Sequence, residues 1–298
     1  MHPAPSVIIF SSLSGAGFGL LFFLGFGFPA PTGWVAFVFF AIAYALAVGG
    51  LLAATFHLKN RKNAWRSYRE WRSSWLSREA WAAVSSLVIL AIYATGLVFL
   101  DAHWAPLGWI GALLGMATVF TTSMIYTQLR TVPRWNQWAT PALFLTVSLA
   151  GGALLSANTE VAGVLLLIAG ALQVWHWWKG DRRFAETGST ARTATRLGGE
   201  VTLWEKPHTG DNYLTREMVY QVARKHAFKL RVIALLAMSL IPAAMVLIFA
   251  MHHWNAVIAV LLHLGGVLTS RWLFFAEAEH VVGLYYGAHA DRTAPATA

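Results

Sequence analysis

Residues 34–56 read WVAFVFFAIAYALAVGGLLAATF and contain no charged residue. A helix that crosses the hydrocarbon core of a bilayer needs about 20 mostly apolar residues. This segment therefore predicts a transmembrane helix, and the rest of the chain repeats the pattern. Eight such stretches are present, at about 6–28, 34–56, 81–100, 107–127, 139–157, 161–178, 231–250 and 255–276.

The first stretch differs from a signal peptide, because no basic segment precedes it, its apolar run is too long and no cleavage pattern closes it. We therefore predict an all-α integral membrane protein in which eight transmembrane helices form a single domain, residues 1–298. Small residues recur inside the spans, as in Ser14–Gly17 and at Gly111 and Gly115. Such residues allow helices to approach each other closely in lipid.

The overall composition agrees with a membrane protein. Charged residues make up 12% of the chain and hydrophobic residues 57%, whereas about 25% of the residues in a soluble domain are charged. The net charge of +9 would suggest nucleic-acid binding in a soluble protein, but the hydrophobic excess makes a role in orientation or partner binding the better interpretation. With no cysteine, the chain by itself forms no disulfide, thiol nucleophile or iron–sulfur site.

The positive charge lies on one side of the predicted bundle. Every Lys and Arg except Arg271 falls in a connection or tail on that side. The opposite connections contain no Lys or Arg, and they lie near residues 29–33, 101–106, 158–160 and 251–254. By the positive-inside rule, both termini and the long loops are predicted to be cytoplasmic.

Two loops on the predicted cytoplasmic side are large enough to have a function of their own. The connection at residues 179–230 is long and polar, and such loops are usually either functional or disordered. Its aromatic residues, including Trp204 and Tyr213, favour partner docking over disorder. The connection between the second and third spans has aromatic residues spaced by three or four, which predicts one face of an interfacial helix. These are Trp65, Tyr68, Trp71 and Trp75, and they alternate with Arg66, Arg69 and Arg72.

Two ionisable residues flank this loop at membrane depth. His57 closes the second span and Glu79 precedes the third. Ionisable residues at this depth are costly and often functional. An imidazole and a carboxylate that share a pocket can bind a quinone carbonyl and exchange its protons. A structural pair that caps the helices or packs the loop is equally compatible with the two residues.

Other candidate residues give weaker signals. Arg271 near the end of the last span predicts an internal ion pair with Glu277 or Glu279, or else a contact with the site or a partner. Histidines lie near several spans, but no two spans carry the paired histidines that two haems require, so haem is not expected. No Walker, dinucleotide-binding or HExxH motif is present. We accordingly predict neither a metal site nor a catalytic residue that acts without a partner.

The chain resembles, over essentially its whole length, the membrane anchor subunits of the dimethyl sulfoxide reductase family. The similarity is carried by His57-Leu58, by residues 71–79 (WRSSWLSRE) and by residues 131–135 (TVPRW) with Thr140-Pro141. Members of this family are eight-helix proteins that connect a molybdopterin catalytic subunit and an iron–sulfur subunit to the quinone pool. The resemblance implies a protein of the bacterial cytoplasmic membrane. It also implies that ubiquinone or menaquinone is bound here, whereas the molybdenum cofactor and the iron–sulfur clusters belong only to the partners.

The resemblance also implies roles for individual residues. The histidine after the second helix and the glutamate before the third are linked to quinol binding in the family, which carries over to His57 and Glu79. Many members read His-Leu-Gly-x-Pro-x-Arg after the second helix. Here Asn63 stands at the last of these positions, and Arg61 or Arg66 substitutes for the cation. Arg72 and Trp75 are expected to shape the pocket, and the partner is expected to dock on Arg69, Arg78, Arg130, Arg134 and Trp135.

Within the family, Met1-His-Pro-Ala and residues 220–231 (YQVARKHAFKLR) are similar to the cytoplasmic branch whose catalytic partner oxidises sulfite. The predicted cytoplasmic side of the loops agrees with that branch, because dimethyl sulfoxide reductase itself faces the periplasm. The resemblance thus implies an anchor that passes electrons from sulfite oxidation to quinone. Two alternatives remain open at this point: a quinol-oxidising anchor of a dimethyl sulfoxide reductase-like enzyme, and a small-solute transporter or lipid-modifying membrane protein.

Overall fold

The computed structural model describes residues 1–56, 61–205, 208, 210, 212–219, 226–249 and 253–287. Within these ranges the secondary structure is entirely helical and includes no strand. The first six helices are α1 (Pro5–Gly25), α2 (Gly33–Thr55), α3 (Trp75–Phe99), α4 (Ala105–Thr127), α5 (Ala139–Leu155) and α6 (Thr159–Glu186). Short 3-10 helices at Arg61–Tyr68 and Val281–Tyr286 lie between α2 and α3 and near the end of the chain.

The second half of the chain has two short helices and two long apolar ones. The short helices are α7 (Ala191–Thr195) and α8 (Tyr213–Glu217). Helix α9 (Ala227–Leu235) continues through a π-helical turn (Leu236–Leu240) into α10 (Ile241–Ile248). The last long helix is α11 (His253–Ala276).

Among the described residues, seven helices are long and apolar enough to cross a membrane. They are α1, α2, α3, α4, α6, the continuous helix Ala227–Ile248 and Trp254–Ala276 of α11. Helix α5 is also apolar but has only 17 residues. The prediction of an all-helical, multi-pass membrane protein is confirmed, and each of the eight predicted stretches coincides with an apolar helix.

Two predicted helix ends differ from the structure by more than five residues. Helix α3 begins at Trp75 rather than at residue 81, and α6 continues to Glu186 rather than ending at residue 178. The extension of α6 contains ion pairs between Lys179 and Glu186 at 2.7 Å and between Arg183 and Glu186 at 3.5 Å. Such pairs satisfy the charges outside the apolar span, so hydropathy alone places the end of the helix too early.

The predicted single helical face of aromatic residues after the second span is wrong. Trp65 and Tyr68 lie in the 3-10 helix Arg61–Tyr68, Trp71 lies in a turn, and Trp75 begins α3. The Arg78 guanidinium donates to the carbonyl oxygen of Trp71 at 3.0 Å and to that of Arg72 at 2.7 Å. These bonds fold the turn back onto α3, which a periodic pattern in sequence does not reveal.

Helix α1 lies at the centre of the bundle, against α2, α4, α5 and α11. Glycine permits its closest approaches, as the small residues in the spans predict. A Cβ atom on Gly19 would lie 1.9 Å from the carbonyl oxygen of Ser148 in α5, and one on Gly17 would lie 2.3 Å from the backbone nitrogen of Ala47 in α2. Any side chain at either position would force these helices apart.

Residues after α11 fasten part of the 179–230 segment to the bundle. The Tyr285 hydroxyl donates to the carbonyl oxygen of Ala194 at 2.7 Å, and the Asn212 side-chain amide donates to the Tyr286 hydroxyl at 3.1 Å. The described part of this long connection is therefore held in place by the last 3-10 helix.

The same 3-10 helix is fixed at its start by His280. The imidazole Nδ1 accepts a hydrogen bond from the backbone of Val282 at 3.0 Å, and burial lowers the pKa of His280 below its ordinary value, so the ring stays neutral and can accept. The backbone of Val281 donates to the carbonyl oxygen of Thr131 at 2.9 Å. This bond joins the tail to the α4–α5 connection.

Candidate functional site

Glu79 is buried on the face of α3 that meets α4, with only 4% of its surface exposed. Its carboxyl oxygen Oε1 is hydrogen-bonded to the hydroxyl of Thr122 in α4. That hydroxyl also lies 2.9 Å from the carbonyl oxygen of Thr118. A hydroxyl has one proton to donate, so both contacts are satisfied together when Glu79 is protonated and donates to Thr122. The geometry therefore suits a protonated Glu79 carboxyl group inside the bundle.

Aromatic residues surround this carboxyl group. Trp75 lies one turn before Glu79, and its ring packs edge-on against Phe120 of α4 with centroids 6.1 Å apart. Tyr126 lies one turn beyond Thr122 on α4. The Tyr126 ring contacts four further rings at centroid distances of 5.3–6.0 Å, those of Trp135, Phe144, Phe274 and Phe275.

Arg271 of α11 is 3% exposed and faces this aromatic cluster. Its guanidinium carbon lies 3.4 Å from the centroid of the Phe144 ring, in cation–π geometry. The predicted ion pair between Arg271 and Glu277 is wrong, because Glu277 is bound to Arg231 and lies near Arg134 instead. Arg271 has no carboxylate within salt-bridge distance among the residues that the structure describes.

The loop between α2 and α3 forms an exposed surface of arginine and tryptophan. Arg69 lies over the Trp65 ring at 4.4 Å, Arg72 over Trp71 at 5.4 Å, and Arg78 over Trp75 at 4.3 Å. Arg66, Arg69 and Arg72 are exposed, whereas Glu79 points into the bundle. Of the predicted quinone residues, Trp75 and Glu79 thus share the α3–α4 face, whereas Arg66 and Arg72 are exposed in the loop before α3. His57 and the side chain of Arg61 lie outside the described residues.

Of the three predicted docking residues in the α4–α5 connection, one is exposed and two are buried. Arg130 is exposed, but Arg134 is 8% exposed and Trp135 only 2%. The Trp135 indole donates to the carbonyl oxygen of Phe274 at 2.8 Å. Docking through Arg134 and Trp135 stays a prediction, and the structure gives both a packing role inside the chain.

Arg134 belongs to a ring of four charged residues from different elements, a feature that the sequence pattern did not predict. Asp181 of α6 is bound to Arg134 at 2.5 Å and to Arg231 of α9 at 2.7 and 2.8 Å. Glu277 accepts from Arg231 at 2.8 Å and lies 3.6 Å from Arg134. The one available signal was Asp181 itself, a lone acidic residue among the basic residues after Trp178.

No group of three or more His, Cys, Asp or Glu side chains in the described residues is placed to hold a metal ion. The described site therefore consists of one buried carboxyl group, an aromatic cluster, a buried guanidinium and an exposed basic loop. A carboxyl group of this kind can exchange a proton with a carbonyl compound that reaches it.

Comparison with known proteins identifies similarities over the whole length. The sequence profile of a family described as DMSO reductase anchor subunit (DmsC) matches residues 1–287. A relative from Allochromatium vinosum, which is named as a sulfite dehydrogenase subunit, is 30% identical over 96% of this chain and 99% of its own length. No solved structure matches the chain.

Proposed function

The chain belongs to the family of DMSO reductase anchor subunits (DmsC), and from this premise we propose that it is the quinone-reactive anchor of a sulfite-oxidising molybdenum and iron–sulfur complex. As a subunit of this kind it has catalytic and electron-transfer partner subunits. The observation that carries the quinone proposal is Glu79, a carboxyl group that is buried against Thr122 beside the basic loop.

Sulfite as the source of electrons is supported by the relative from Allochromatium vinosum, which is named for sulfite dehydrogenase. The overall reaction would convert sulfite, water and quinone into sulfate and quinol. The runner-up is the reverse flow, from quinol to a sulfoxide, and the name of the family favours it. Family membership leaves no support for the transporter alternative.

The role of this chain in the reaction is to hold the quinone head and move its protons. Two electrons from the partner and two protons convert a quinone to a quinol. Glu79 would donate one proton to a quinone oxygen and then be reprotonated, and His57 would bind the second oxygen and supply the second proton. Trp75 and Phe120 would form an apolar wall against the quinone ring. Arg66, Arg69, Arg72 and Trp204, all exposed, would receive the iron–sulfur subunit.

We propose eight spans with both termini in the cytoplasm, although α5 is short. The charge ring supports this topology, since it joins residues at the start of α5, the end of α6, the start of α9 and the end of α11. Helix α5 must then cross together with α6, which follows it directly. Its 17 residues reach about 26 Å at 1.5 Å per residue, and a bilayer can thin locally to match a short span.

Fusions at two positions test the topology. Green fluorescent protein at the C-terminus should fluoresce, because it folds in the cytoplasm, and alkaline phosphatase inserted after Asp101 should be active, because it needs the opposite compartment. If α5 does not cross, the two sides of the connections that follow it are exchanged and the C-terminal reporter is silent.

A mild-detergent purification tests the assembly and the reaction together. The tagged chain should bring down a molybdenum subunit and an iron–sulfur subunit in equal amounts, measured by metal analysis, and the complex should reduce a quinone analogue when sulfite is added. Purification without molybdenum would contradict the anchor assignment. A complex that oxidises quinol with a sulfoxide, but shows no sulfite activity, would support the reverse flow instead.

A further inference from the structure

Buried polar atoms without a hydrogen-bond partner cluster in one part of the described structure. Such atoms are rare in folded proteins, and each one calls for a partner that the protein itself does not supply. Two of them, the Ser12 hydroxyl and Arg271 Nε, belong to residues that line the same cavity. The others lie in or beside the ring of four charged residues that includes Arg134. They are Arg134 Nη1, Gln137 Oε1 and His176 Nδ1.

The shared cavity lies inside the bundle between α1, α4, α5 and α11. Its polar lining consists of Ser11, Ser12, Ser148, His263 and Arg271. The cavity leaves about 10 Å³ for the centre of a water molecule, which is close to what one buried water requires. The adjoining cavity beside Arg134 and His176 leaves no such room.

The remaining polar groups of the lining already have partners. The Ser11 hydroxyl donates to the carbonyl oxygen of Ile8 at 3.3 Å, and the Ser148 hydroxyl is bound to the carbonyl oxygen of Gly15. Nδ1 of His263 lies 2.6 Å from the carbonyl oxygen of Met238 in the π-helical turn. Among the described residues, the buried polar atoms of this lining that lack a hydrogen-bond partner are the Ser12 hydroxyl and Arg271 Nε.

We propose that this cavity is an internal water site in which one water molecule is bound by both Arg271 Nε and the Ser12 hydroxyl. A guanidinium keeps its proton in proteins, and a charge in a membrane bundle is costly unless it is paired or hydrated. The Phe144 ring covers one face of Arg271, but it cannot accept the Nε–H in the plane of the guanidinium. A water molecule can accept a hydrogen bond from the Arg271 Nε–H, and it can form a second hydrogen bond with the Ser12 hydroxyl as donor or acceptor.

The bound water has a consequence for the aromatic cluster. It anchors the edge of the guanidinium, so the positive charge stays above the Phe144 ring. The site does not depend on which substrate the assembled complex uses.

Replacement of Ser12 tests the proposal, because a water-filled cavity and a dry cavity predict opposite changes in the Tm of the complex. In a wet cavity, Ser12→Ala removes one partner of the water and lowers the Tm of the complex, and Ser12→Val lowers it further because its methyl groups displace the water. In a dry cavity, both substitutions remove an unsatisfied hydroxyl, and Ser12→Val also fills empty space, so both raise the Tm.

Ser14→Ala is the matched control, since Ser14 lies on the same helix but does not line the cavity, and its hydroxyl donates to the carbonyl oxygen of Phe10 at 2.6 Å. A Tm for Ser12→Ala at or above that of the wild type overturns the proposal, whereas Ser14→Ala shows the effect of losing an ordinary hydroxyl–backbone bond on the same helix. A reconstruction of the intact complex that shows ordered water gives the direct test. Density within hydrogen-bond distance of Arg271 Nε and Ser12 supports the site, whereas an empty cavity, or density that exchanges with bromide, overturns it.

Discussion

Glu79→Gln should reduce sulfite-dependent quinone reduction by the intact complex by roughly 100-fold or more, which is the range that a lost proton-transfer group produces. The amide keeps the shape of the side chain and can still bond to the Thr122 hydroxyl, so the packing of α3 against α4 is retained. It cannot release and recover a proton. Reduction of a soluble dye, which takes electrons directly from the partner subunits, should stay at the wild-type rate.

The control for this experiment is Glu70→Gln, because Glu70 is an exposed carboxylate in the loop that precedes α3. It should leave both activities unchanged. His57→Ala is expected to resemble Glu79→Gln if the family role carries over. Wild-type quinone reduction in Glu79→Gln would remove Glu79 from the site, and a parallel loss of dye reduction would indicate failed assembly instead.

Thr122→Val tests whether the Thr122 hydroxyl positions the buried carboxyl group of Glu79. The substitution leaves Glu79 in place but removes the hydroxyl that contacts it. If the hydroxyl positions the carboxyl group, quinone reduction should fall by less than in Glu79→Gln, and dye reduction should again persist. The side chain of valine matches threonine in shape, so the helix contact itself is preserved.

Glu79 could be found from sequence because an ionisable residue beside an apolar span is conspicuous. The spans were predicted for a similar reason, since a run of about twenty apolar residues is long enough to cross a bilayer as a helix and is rare outside membrane proteins. The sequence does not predict the direction in which Glu79 points. The hydropathy pattern starts the helix at residue 81, which leaves Glu79 outside it, whereas α3 begins at Trp75 and includes Glu79. The structure therefore separates Glu79 from Arg66 and Arg72, which the sequence pattern grouped with it.

The charge ring shows a second limit of the sequence. Arg134 and Trp135 lie between two predicted spans, where arginine and tryptophan are typical of the membrane interface. The sequence around them does not indicate that both side chains are buried. Their burial depends on Asp181 and Phe274, which lie far away in the chain. Contacts between residues so distant in sequence leave no periodic signal, so the sequence does not predict the internal packing of these two side chains.

Glu277→Ala should destabilise the chain by about 3 kcal/mol, at the low end of the range for the loss of one member of a buried ion pair. The side chain of Glu277 is only 6% exposed and holds Arg231 at 2.8 Å. Its loss leaves the Arg231 Nε–H without its acceptor and leaves positive charge on both Arg231 and Arg134. The low end applies because Arg231 is partly exposed and keeps its two bonds to Asp181.

The thermal unfolding of the detergent-solubilised complex measures this effect, and Glu186→Ala is the control. Glu186 also binds two basic residues, Lys179 and Arg183, but at the surface of α6, where water and salt screen such pairs. Its loss should change the Tm little. Glu277→Gln should fall between the two, because an amide oxygen can still accept from Arg231 without neutralising it. Equal Tm values for Glu277→Ala and Glu186→Ala would mean that α6, α9 and α11 are held together by apolar packing, and that the ring contributes no stability to that end of the bundle.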